Sequence, residues 1–134
     1  TKVQTHGVMS LPFNPLAIAI VEGASFVARS FTGAPEHLQA MMTAAIRHKG
    51  GFALLDILQP CPSFNHLNTF KWYKDRVKPI ADTHDPADRA AALNLAFTWG
   101  DEIPIGIYYK SGRASFESQL DVLKAGPLVM RYGK

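Results

Sequence analysis

One cysteine, Cys61, in 134 residues leaves no internal disulfide to form and fits a reducing compartment. Apolar runs are short: none approaches the roughly 20 residues of a membrane-spanning helix, so no membrane is expected. The N-terminus lacks the pattern of a secretory signal. Neither G-x-G-x-x-G nor G-x-x-x-x-G-K-[ST] occurs, which removes the common backbone cradles for nucleotide phosphates. There is no internal repeat and no low-complexity tract. The first residue is Thr1 rather than Met, and the chain is expected to be a fragment or a processed product.

Charge is also sparse. Charged residues make up 19% of the chain and hydrophobic ones 47%, a balance that suits one globular domain or part of one. The formal net charge of +3 is local. Lys71, Lys74, Arg76 and Lys78 with Asp75 supply all of it, and the other ten cations and ten anions cancel. So confined an excess argues against a nucleic-acid surface. A solvated helix face is its simplest meaning.

The chain is organised around Gly50 to Tyr73. A glycine pair leads into the apolar run Phe52–Leu58, interrupted only by Asp56, which reads as a strand buried on both faces of a parallel sheet. It ends at Pro60-Cys61-Pro62, where ligands bind in open α/β sheets. Upstream, Asn14-Pro15 starts a helix over Leu16–Glu22 that stops at Gly23, and Ser25–Arg29 is a short interior strand. Pro35 opens a helix whose Leu38, Met41, Met42, Ala45 and Ile46 share one core-facing stripe. Strand, helix and strand from Ser25 to Leu58 make a βαβ unit.

Beyond the Pro60–Asn68 loop, a helix is expected from about Phe70 to Ile80. Another is capped by Asp85, carries Ala92, Leu95, Ala96 and Trp99 on one stripe, and closes at Gly100. Ile103, Ile105, Ile107 and Tyr109 alternate in strand period, with Pro104 placing that strand at an edge or its own start. Ser115 caps a last helix with Phe116, Leu120 and Leu123.

Cys61 supports three readings: a small structural hydrophobe, a metal ligand lacking its partners, or a nucleophile served by His66 or His48. The five histidines show no close ligand spacing and read as surface or helix-terminal residues. Asp101-Glu102 read as solvated neighbours. Gly100-Asp101 superficially matches the start of a thiamine-diphosphate motif, but the following glycine is missing and no Asn occurs after Asn94.

The blocks NPLAIAIVEGASFVARSFTG, HKGGFALLDILQPCPSFN, NTFKWYKDRV, THDPADRAAALNLAFTWGDEIPIGIYYK and SFESQLDVLK, in this order, resemble the C-terminal portion of 2-oxoacid:ferredoxin oxidoreductase β subunits. The resemblance implies an α/β fold: the later part of a thiamine-diphosphate-binding domain with a parallel sheet over residues 1–69, and a C-terminal extension of helix and strand over 70–134. It implies a cytoplasmic enzyme that decarboxylates a 2-oxoacid oxidatively, forms an acyl-coenzyme A and reduces ferredoxin. Thiamine diphosphate, magnesium and a 4Fe–4S cluster serve the complete enzyme, together with an α or fused α/γ subunit. Cys61 stands where the family supplies the fourth cluster thiolate. No catalytic residue is assigned to this chain, which is expected to be inactive and without cofactor when isolated. The extra glycine at Gly50-Gly51, and Ala34 where an acidic cap is usual, depart from the family only at helix ends. Amides after Pro62 are expected to be free to donate to sulfur, and the lysine-bearing helix to help dock an acidic acceptor. The rival reading is a non-catalytic binding or assembly module that keeps the fold without cofactors.

Overall fold

A computed structural model describes residues 6–132. Asn14 has extended backbone and its Oδ1 accepts from the Ala17 amide, so helix α1 starts at Pro15 and runs Pro15–Val21. Gly23, at φ +84°, turns the chain out of α1 in the left-handed conformation that glycine adopts without steric cost. Strand β1 (Phe26–Phe31) follows, then α2 (Pro35–Arg47) and β2 (Ala53–Leu58), and β1 pairs parallel with β2 as expected of the βαβ unit.

The helix after the cysteine loop, α3 (Phe70–Arg76), is shorter than its sequence expectation. The chain leaves it for a three-residue strand, β3 (Val77–Pro79). Next come α4 (Arg89–Ala96) and β4 (Ile103–Lys110), two single 3₁₀ turns at Glu117–Gln119 and Asp121–Leu123, and a short α5 (Val129–Tyr132). The helix expected after Ser115 is thus two separate turns. No helix among the described residues is long and apolar enough to cross a membrane.

The α/β class holds, with a mixed sheet where a parallel one was expected. The strand order is β2-β1-β4-β3: β1/β2 and β3/β4 are parallel, whereas β1 and β4 run antiparallel. Strands from both sides of residue 70 share this sheet. Every residue of central β1 is buried. The run expected to be buried on both faces, β2, lies instead at the sheet edge, with Leu58 buried and Ile57 exposed. Hydrophobicity alone does not separate a central strand from an edge strand whose second side has no neighbour.

Alternation along β4 is broken. The register passes from Val27 opposite Tyr109 to Ala28 opposite Ile107, so Tyr108 is the additional residue of a bulge. That slip buries Tyr108 completely, although Tyr109 was expected to face the core. The Tyr108 hydroxyl donates to the Pro104 carbonyl at 2.6 Å, and burial pushes its pKa up to about 12. Pro104 is the second residue of β4, where a missing amide costs least.

The main core packs α1 and α4 against β1: Leu16, Ile20, Val27, Ala92, Ala96 and Tyr108 are buried together. Two side chains tie the helices at opposite ends. Asn14 Nδ2 donates to Ala96 O at 2.9 Å, and Arg89 donates to Ile20 O and Val21 O at 2.9 and 2.6 Å. The start of each helix thereby satisfies carbonyls at the end of the other. Asp88 rather than Asp85 caps α4, accepting from Ala90 N and Ala91 N, and α4 ends before Trp99 can join its stripe.

Candidate functional site

Two neighbouring places lie at the carboxyl end of β2. The first is the loop that carries Cys61, which is a free and exposed cysteine. Pro60 is buried and anchors the loop's entry. The amides of Phe64 and Asn65 donate to the Cys61 carbonyl at 3.3 and 2.9 Å, folding a tight turn. Those two amides, expected to be free for sulfur, are therefore taken by the cysteine's own backbone. Asn65 Oδ1 accepts from the Leu67 and Asn68 amides, and Thr69 Oγ1 accepts from Trp72 N to cap α3. Short side-chain-to-backbone bonds thus run continuously from the turn into the helix. A cavity of about 310 Å³ bounded by Pro60, Pro62, Asn65, His66, Thr69 and Lys71 adjoins the loop.

The nucleophile reading of Cys61 gains nothing from this geometry. His48 lies at the other end of the βαβ unit, where Nε2 is 2.7 Å from Ser25 Oγ. His66 shares the loop but makes no hydrogen bond with the thiol. Two further histidines are half-buried with internal partners: His37, in the first turn of α2 as the helix-end reading expects, has Nδ1 2.8 Å from Ser30 Oγ, and His84 Nε2 donates to Tyr108 O at 2.8 Å. Burial holds the His37 pKa below its ordinary value.

The second place was not found from sequence. Arg29, in the middle of β1, is 4% exposed, and its Nε donates to Asp56 Oδ2 on β2 at 2.7 Å. The parallel register sets the two residues side by side. The Trp99 ring lies over the guanidinium at 5.2 Å and the Tyr108 ring at 5.7 Å. A cavity of about 440 Å³ opens beside them, with Pro12, Phe13, Leu58, Ala96 and Phe97 among its walls. One signal was available: an arginine and an aspartate each interrupt an otherwise apolar run, at positions that come opposite in a parallel pair.

The basic segment is weaker than its sequence suggests. Lys78 lies on β3, so it cannot continue a helical face with Lys71 and Lys74. Lys71 pairs with Asp75 at 2.9 Å on the surface, and Arg76 stacks on Trp72 at 4.4 Å while donating to the Trp72 carbonyl. Solvent screens exposed pairs of this kind, so they add little.

Comparison with known proteins adds an independent line. Residues 61–125 match a family described as the C-terminal region of the pyruvate ferredoxin oxidoreductase β chain. A Sulfolobus sp. 2-oxoacid:ferredoxin oxidoreductase subunit β is 35% identical over 90% of this chain and 46% of its own length. Subunit β of 2-oxoacid:ferredoxin oxidoreductase 1 from Aeropyrum pernix is 40% identical over 72% of this chain and 33% of its own length. A solved 2-oxoglutarate:ferredoxin oxidoreductase from Magnetococcus marinus, with 2-oxoglutarate, coenzyme A and succinyl-CoA bound, superposes with a TM-score of 0.83 at 32% identity. It covers 94% of this chain and 44% of that one. The chain spans less than half the length of these relatives.

Proposed function

The chain belongs among the homologues of 2-oxoacid:ferredoxin oxidoreductase β subunits, and from that premise we propose that it serves such an enzyme by holding one corner of its electron-transfer centre. The complete enzyme, in this reading, converts a 2-oxoacid to an acyl-coenzyme A and delivers the electrons to ferredoxin. It contains an α or fused α/γ subunit, thiamine diphosphate, magnesium and a 4Fe–4S cluster. The single observation that carries the proposal is the placement of Cys61, exposed on a side-chain-braced turn at the carboxyl end of β2 within the matched family region.

The donor set fits a cluster only in part. Cys61 offers one thiolate, and no group of three or more His, Cys, Asp or Glu among the described residues is placed to hold a metal ion. Four-thiolate ligation therefore draws on residues outside this set. The same limit applies to magnesium, which needs a near-octahedral set of oxygen ligands. When bound, the cluster supplies one-electron transfer. This chain's share is to keep Sγ at the surface of a rigid turn, through Pro60, Asn65 and Thr69.

In the assembled enzyme, Cys61→Ala should lower iron and acid-labile sulfide together and abolish ferredoxin reduction. Full iron occupancy with normal ferredoxin reduction in that variant would overturn the assignment. The chain by itself should hold no stoichiometric iron and no thiamine diphosphate, which metal analysis and calorimetry measure directly.

A further inference from the structure

We infer that the cavity over the carboxyl-terminal halves of β1 and β2 is a binding site for a small, neutral, largely apolar molecule that carries a carbonyl group. In this site Arg29 donates to the carbonyl oxygen and Trp99 covers the ligand. The site is independent of the role given to Cys61.

The first support is Arg29 itself. Its Nη1 is buried and has no hydrogen-bond partner, alone in this among the buried side-chain nitrogens and oxygens of the described residues. Buried polar groups without partners are few in folded proteins, and each calls for a physical reason. None of the neighbouring oxygens reaches Nη1 with a hydrogen bond, although the Asp56 carboxylate and the Tyr108 hydroxyl keep acceptor capacity. Asp56 accepts from Nε, and the Tyr108 hydroxyl donates to the Pro104 carbonyl. The Asn14 side chain is engaged at both ends, by the Ala17 amide and the Ala96 carbonyl. An acceptor entering through the cavity, which Arg29 lines, would give Nη1 the partner it lacks.

The second support is the cavity. At about 440 Å³ it lies within the usual range for small-molecule sites, and its walls are mostly proline, aliphatic and aromatic side chains. Arg29, Asp56 and Leu58 place it at the carboxyl ends of the parallel pair, where α/β sheets bind ligands.

Charge balance selects the ligand class. The Arg29 cation already faces the Asp56 carboxylate at 2.7 Å, so what is missing is an acceptor and not a counter-ion. A ligand carboxylate would set a second anion beside Asp56 in an apolar pocket, where like charges repel with little screening. A neutral amide, ketone or ester satisfies Nη1 without that penalty. Trp99 is 54% exposed and lies over the guanidinium, so its ring moves as the carbonyl enters and reports on it.

The test uses the full chain with Trp72→Phe, which leaves Trp99 as its one tryptophan. Trp99 fluorescence is titrated with benzamide, benzoate and toluene. Benzamide should give a saturable change, with benzoate and toluene at least tenfold weaker. Arg29→Met should erase the preference for benzamide over toluene. Should that variant fail to fold, the ¹⁵N shift of the Arg29 guanidinium in the Trp72→Phe chain gives the same answer, moving with benzamide alone. Absence of a saturable signal, equal binding of toluene, or benzoate matching benzamide overturns the proposal. So does loss of benzamide access in the assembled enzyme, which would give the Arg29 donor to a protein carbonyl.

Discussion

Helices α1 and α2 make the instructive comparison. The 13 residues of α2 carry the clearer amphipathic pattern, yet none is buried, and Ile46 is 80% exposed. The seven residues of α1 have a less obvious pattern and bury four: Leu16, Ala17, Ala19 and Ile20. What differs is the layer above. Helix α1 is clasped at both ends by α4 and lies on fully buried β1, whereas α2 packs mainly on the sheet among the described residues. A periodic stripe shows which side of a helix can be buried, and the surroundings decide whether it is.

The Arg29–Asp56 pair sharpens that contrast most, because it lies on the well-packed side. Asp56→Asn removes the counter-charge and leaves a buried guanidinium, which should cost about 3–5 kcal/mol in urea unfolding. A cost below about 1 kcal/mol would mean that β1 is open to water at this point, and the difference between the two sides would collapse.

A direct break of the comparison follows. Ile20→Ala should destabilise by about 2–5 kcal/mol, since Ile20 is fully buried between α1 and α4. Ile46→Ala should stay within about 0.5 kcal/mol of the parent chain. Similar urea midpoints for the two variants would refute the packing asymmetry. In the assembled enzyme, a larger cost for Ile46→Ala would show that a partner covers α2.

The smallest effect concerns pH. His37, on α2, contacts Ser30 of β1, and burial lowers its pKa in the folded chain. A depressed folded pKa means that the unfolded chain takes up the proton first. The stability at stake is therefore complete above the ordinary histidine pKa of about 6.5 and falls as pH drops through it. His37→Gln should flatten the decline in thermal midpoint between neutral and mildly acidic pH. An unchanged decline would place its origin elsewhere.

Much was legible in the residues alone. Asn14-Pro15 and Pro35 opened helices where the structure opens them, because capping and the fixed φ of proline act within a few residues. The βαβ unit and the loop position of Cys61 followed from apolar runs punctuated by glycine and proline. Length was harder to read: α3 yields to β3 at Val77 because β4 offers that segment a parallel ladder. Asp88 displaces Asp85 as a cap because Asp85 Oδ1 closes a turn on Ala87.

By its own local chemistry, then, the sequence determined where helices begin, which segment reverses direction around Cys61, and which stripes are apolar. Tertiary structure alone decided that β2 lies at an edge, that a bulge buries Tyr108 in place of Tyr109, and that Arg29 meets Asp56 beneath Trp99. Each of these depends on register between segments far apart in the chain. A shift of one residue would turn every side chain of a strand to the opposite face, and no pattern within a single segment encodes the choice.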